Sequence, residues 1–197
     1  PPNLAQRTVG HDWPTFLGPQ RNGKSQETGL AWDWSDEGPP VVWQVPLGQS
    51  YSAPSISRGR LFHFDRYGDE DRLVCRHAET GEELWTTDAS TRYRDMLGYN
   101  NGPRATPVVD GDRVYTFSAA GLLQCVDVGA GDVVWEVDTT KEFHVAQNFF
   151  GVGSSPVIFE DYLIVPIGGS PPSGRSYIYS VVGRVPANGT GVLAFDK

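Results

Sequence analysis

The sequence predicts an all-β fold, a partial β-propeller of four-stranded antiparallel blades. Three observations carry this. The stretch Cys75 to Trp85 recurs as Cys125 to Trp135, each with a small residue followed six positions later by glycine and ten later by tryptophan; a third copy begins at Ala194 and runs to Lys197. The prolines that open each unit, Pro54, Pro107 and Pro156, lie 53 and 49 residues apart. Between these marks, short β-branched and aromatic runs are bounded by Gly, Pro, Asn and Asp, the pattern of strands joined by tight turns. Units of this length cannot bury their faces alone and must stack on neighbours. An immunoglobulin-like sandwich also has many short strands but gives no reason for the same pattern to recur.

Taken in order, residues 1–38 do not match the repeat. They carry Trp13, Trp32 and Trp34 among turn residues, so an arm lying on the body with its tryptophans buried is expected. Val41–Val45 reads as a single closing strand. The first blade spans 51–87: strands at Ala53–Ser57, Arg60–Phe64, Arg72–Arg76 and Glu83–Thr86, with a polar loop at Tyr67–Asp71. The second spans 104–138: Thr106–Val109, Arg113–Phe117, Leu122–Val126 and Val133–Val137. The third, 153–197, is incomplete: Ser155–Ile158, Tyr162–Pro166, an insertion from about Gly168 to Asn188, then Gly191–Phe195. Gly81 and Gly131 are expected at positive φ between third and fourth strands. The tryptophans after them are expected to pack blade on blade. Cys75 and Cys125 hold equivalent places in successive units, too far apart for a disulfide, and read as small buried residues.

A formal charge of −8 and a pI near 4.9 oppose a nucleic-acid binder, which needs a basic stripe. No run approaches the ~18 apolar residues of a membrane span. Pro1–Arg7 show no basic-then-apolar secretory pattern, which leaves the protein cytoplasmic or its signal outside these residues. His11, His63, His77 and His144 are scattered and form no zinc motif. Asp69-Glu70-Asp71 reads as a solvated loop tip rather than a calcium loop. Gly151-Val152-Gly153 cannot open the helix of a dinucleotide fingerprint.

The pattern small-x-Asp-x-x-x-Gly-x-x-x-Trp resembles the tryptophan-docking motif of the pyrroloquinoline-quinone (PQQ) repeat family. Cys125, Asp127, Gly131 and Trp135 match it; Cys75, Gly81 and Trp85 match it with His77 in the aspartate place; Ala194 and Asp196 begin it. Asp12-Trp13-Pro14, Arg21-Asn22-Gly23 and the block Asn101–Pro107 are similar to PQQ-like propeller proteins of planctomycete-type bacteria. The resemblance implies a seven- or eight-bladed ring, about three blades of which lie in this chain. It also implies an extracytoplasmic, periplasmic setting and a fragment that needs further blades to close. The family includes quinoprotein dehydrogenases, which hold PQQ and calcium under an adjacent cysteine pair, and non-enzymatic scaffolds of the BamB type. No adjacent pair of cysteines occurs here, and no cofactor is read from this chain itself; PQQ with calcium would belong to a full-length catalytic form.

Ligand-facing candidates lie in the loops that lead into each blade's first strand: Arg92, Arg94, Asn100, Asn101 and Arg104 before Thr106, and Lys141, His144, Gln147 and Asn148 with Phe149 and Phe150 before Ser155. Of these, Arg94, Asn101, Arg104, His144 and Asn148 are the candidate site. Arginine, amide and aromatic groups suit an anionic planar ligand or a peptide; alternatively they tie the loops together. The expected function is a non-catalytic scaffold whose propeller face binds a protein partner or a small molecule. The alternatives are a PQQ-dependent alcohol or sugar dehydrogenase and a carbohydrate-binding propeller.

Overall fold

The computed structural model describes residues 1–6, 10–172 and 187–197. They form three antiparallel sheets in chain order, the partial propeller predicted. The first contains β1 (Ser55–Ser57), β2 (Arg60–Tyr67), β3 (Glu70–His77) and β4 (Glu83–Ser90). The second contains β5 (Val108–Asp110), β6 (Arg113–Phe117), β7 (Leu122–Asp127) and β8 (Val133–Asp138), followed by the short helix α1 (Thr139–Phe143). The third contains β9 (Val157–Phe159), β10 (Tyr162–Pro166) and β11 (Val192–Asp196). Part of the predicted insertion, residues 173–186, lies outside the described residues.

Strand alternation supplies the packing. Phe62, Phe64, Leu73 and Cys75 of the first sheet meet Val109, Val114, Val126 and Val128 of the second. Tyr115, Phe117, Leu123 and Cys125 then meet Leu163, Val165 and Ile167 of the third. Both cysteines are free and fully buried. Burial pushes the Cys75 thiol up to about 12.

The repeated motif is a joint between blades. Gly81 and Gly131 have φ of +75° and +80°, and a Cβ on either would stand 2.8 Å from an indole: that of Trp43 at Gly81 and of Trp85 at Gly131. Trp43 Nε1 donates to Ala78 O and Trp85 Nε1 to Val128 O, each at 3.0 Å and each to the residue three before the glycine. The glycine is therefore required twice, for a backbone region closed to other residues and for a surface flat enough to seat a ring. The aspartate place is a turn brace. Asp127 Oδ1 accepts from the N–H groups of Gly129 and Ala130 at 2.8 and 3.0 Å. His77 Nδ1 takes one equivalent bond, from Glu79 N at 3.3 Å.

Several expectations are corrected. Val41–Val45 is not in a strand among the described residues; Val41 and Val42 are exposed, and the segment contributes Trp43 to the blade joint. The loop at Tyr67–Asp71 shrinks to a two-residue hairpin, because Tyr67 still pairs with Glu70. Asp71 is consequently a buried strand residue rather than part of a solvated tip. Trp32 and Trp34 are exposed and rest on each other, ring centroids 6.5 Å apart.

Trp13 differs. It bridges Ile56 on the free edge of β1, and Pro14 O accepts from Val109 N on β5 at 2.9 Å. Arg21 reaches the carbonyl of Ile158 on β9. Residues 13–21 thus cross the inner edge of three successive sheets and occupy backbone groups that would otherwise stay open to pairing.

Candidate functional site

The loop from Thr91 to Pro107 is built around a buried ion pair. Arg104 Nη2 lies 3.0 Å from Asp95 Oδ2, with the aspartate side chain fully buried and the arginine nearly so. Arg104 also donates to Gly102 O at 2.6 Å and Asn100 O at 2.9 Å, and sits over the rings of Tyr93 and Tyr51. Backbone N–H bonds from Leu97 and Asn100, with the Arg104 charge, hold the Asp95 carboxyl below its ordinary range. Asn101 is equally committed: its Oδ1 accepts from Asp95 N at 2.8 Å and its carbonyl accepts from Arg66. Arg94 is exposed and pairs with Asp69 at 3.0 Å. These three candidates brace the loop.

The second loop starts with α1, which the sequence reading missed. Asp138 caps it, accepting from Thr140 N and Lys141 N, and His144 ends it in the left-handed region at φ 54°. The only local signal is an aspartate at an N-cap place. His144 is exposed, and its carbonyl accepts from Ser170 N. Asn148 Oδ1 accepts from Phe150 N at 3.0 Å. Gln147 Nε2 donates to Arg94 O at 2.8 Å, so the two loops form one surface. At Gly151 a Cβ would stand 2.3 Å from Ala119 O and 2.7 Å from the Tyr93 ring.

Two cavities flank this seam. One, of about 360 Å³, has Arg104 in its wall with Phe16, Leu17, Arg21 and Pro156. The other, of about 400 Å³, is lined by Arg92, Tyr93, Thr140, Gln147 and Asn148 among others. Of the five candidates, Asn148 lines the second cavity and Arg104 the first; Arg94, Asn101 and His144 line neither. Tyr93 also lines the second cavity, and nothing local in the sequence distinguishes it from any other loop aromatic.

Of the candidate cations, Arg94 and Arg104 are both engaged in ion pairs. Among the described residues no three His, Cys, Asp or Glu side chains converge as a metal site. No helix among them is long and apolar enough to cross a membrane.

Comparison with known proteins gives a family and several similar folds. The family model described as outer membrane protein assembly factor BamB matches residues 35–191. No curated protein matches. Among solved structures, BamB from Moraxella catarrhalis is 19% identical with a TM-score of 0.41, over 62% of this chain and 30% of that one. A quinohemoprotein alcohol dehydrogenase from Comamonas testosteroni is 17% identical with a TM-score of 0.44, over 62% of this chain and 18% of that one. A europium-containing methanol dehydrogenase is 11% identical with a TM-score of 0.46, over 63% of this chain and 21% of that one. The chain thus spans less than a third of each of these structures. With four of every five residues inside the matched segment, and with each described tryptophan joint seated on its glycine, the chain belongs to the PQQ-like propeller family of the outer membrane protein assembly factor BamB.

Proposed function

We propose that this chain is part of a non-catalytic, extracytoplasmic propeller that docks a protein partner on the face carrying the loops before β5 and β9. Residues 39–197 contribute the blades, residues 1–38 the arm, and further blades close the ring. The supporting observation is a set of exposed apolar side chains on loops braced by internal hydrogen bonds. Leu97, Tyr99, Phe149 and Phe150 are 50%, 70%, 42% and 50% exposed, beside the buried Arg104–Asp95 pair. Aromatic residues on a preorganised surface suit a protein interface, because little ordering entropy is lost on docking. The matched family's description as an assembly factor accords with a partner-binding role.

The test is site-specific photo-crosslinking from position 99 of the full-length protein in its own cells. A discrete adduct to one protein, lost in Phe150→Asp, supports the reading. Absence of an adduct would count against it. The second reading, a quinoprotein alcohol or sugar dehydrogenase, rests on the repeat motif shared with that branch of the family. It predicts dye-linked oxidation after PQQ and calcium are added to the full-length protein, and turnover there would displace the scaffold reading.

A further inference from the structure

The cavity of about 400 Å³ between the second and third sheets has a chemistry of its own. Gly153 and Ser154 also line the cavity beside the arm, but this one extends to Ala119 and Ala120 in the β6–β7 turn and to Gly168 beyond β10. Its volume is within the range of small-molecule sites. Among the described residues Arg92 is its one charged lining residue and no carboxylate lines it, in a chain whose formal charge is −8. Every other arginine of the two loops is engaged, whereas Arg92 is exposed and has no hydrogen bond or ion pair among the described residues. Behind it stands Tyr93, 4% exposed, whose buried hydroxyl also has no partner. Unsatisfied buried polar groups are uncommon, and a bound polar molecule is one way of satisfying them.

The remaining polar groups define what would fit. Asn148 spends its Oδ1 on Phe150 N, leaving the Nδ2 donor. Gln147 spends its Nε2 on Arg94 O, leaving the Oε1 acceptor. Thr140 donates its hydroxyl hydrogen to Ala120 O, leaving an oxygen that accepts. The lining therefore offers a cation, a donor and two acceptors.

We infer that this cavity binds a small hydroxylated carboxylate, of the size and class of a sugar acid. Arg92 and Asn148 hold the carboxylate; Gln147 and Thr140 accept from the hydroxyls. A guanidinium meets a carboxylate through two parallel N–H bonds, while a neutral sugar of the same shape leaves Arg92 without its counter-charge. The site does not depend on the partner reading, and either can fail alone.

The experiment is isothermal titration of the full-length protein with D-glucuronate, D-glucose and acetate. Glucuronate is expected to bind at least about 10-fold more tightly than either, since glucose lacks the charge and acetate lacks the hydroxyls. Arg92→Gln is expected to weaken glucuronate about 10-fold or more at an unchanged melting temperature, and Lys24→Gln, on the exposed arm, to leave it unchanged. Thr140→Val should weaken glucuronate but not acetate. Equal affinity for glucuronate and glucose, undiminished binding in Arg92→Gln, or no heat from glucuronate with correctly folded protein overturns the inference.

Discussion

Gly131→Ala tests the joint between the first two blades. The new methyl would stand 2.8 Å from two atoms of the Trp85 indole, at a φ of +80°. Holding a non-glycine residue in the left-handed region costs about 1–2 kcal/mol. The ring must then retreat. Its bond to Val128 O, 3.0 Å, accounts for about 1 kcal/mol, and its tilted packing on Phe62, centroids 5.9 Å apart, for about 1 kcal/mol more. The expected loss is about 3–4 kcal/mol, read as a lower urea midpoint at unchanged slope. A second measurement isolates the clash. In a Trp85→Ala background the methyl meets no ring, so the same substitution should cost only the backbone share of about 1–2 kcal/mol. A cost below about 1 kcal/mol in the wild type, or equal costs in both backgrounds, would show that the indole does not rest on Gly131 and that the motif is only a turn.

Other perturbations probe the loops and the core. Arg104→Ala should destabilise by about 3 kcal/mol in urea, since it strands the buried Asp95 carboxylate, whereas Arg94→Ala, on an exposed pair, should leave the midpoint nearly unchanged. Burial pushes the Asp71 carboxyl up to about 7 against the pull of Arg66 and Arg104, with Asp65 adding to the rise. Its folded value exceeds the unfolded one, so its contribution is full below about pH 4 and is lost as pH rises through about 7. Urea midpoints measured from pH 5 to 8 should fall for the wild type and less for Asp71→Asn. Cys75 and Cys125 should ignore a chromogenic thiol reagent in the native protein and both react in denaturant, as buried thiols with raised pKa values do; native reactivity of either would show an opened blade joint.

Much of the fold was legible because a propeller is local along the chain. Each sheet is made of consecutive strands, so alternation and turn residues mark nearly every element; β6 and β10 fall at the residues expected from pattern alone. The misses share a cause. Val41–Val45 has the composition of a strand but no ladder partner among the described residues, and Asp71 has the composition of a loop tip but lies on a strand facing the second blade. Composition reports what a residue prefers, while pairing and burial depend on what stands opposite.

The candidate site shows the same boundary more sharply. The repeated motif specifies where glycine, tryptophan and the bracing aspartate fall, and hence the blade-to-blade joint, because each copy needs the same contacts. It does not say that each indole seats on the glycine of the following unit rather than its own, which follows from stacking. Nor does spacing separate Arg92 from Arg94 and Arg104. All three are loop arginines within thirteen residues, and only the folded arrangement commits two of them to Asp69 and Asp95 and leaves the third beside a cavity. Strand and turn preferences are written in neighbours along the chain, but whether a charge is spent or available depends on partners brought together from distant positions.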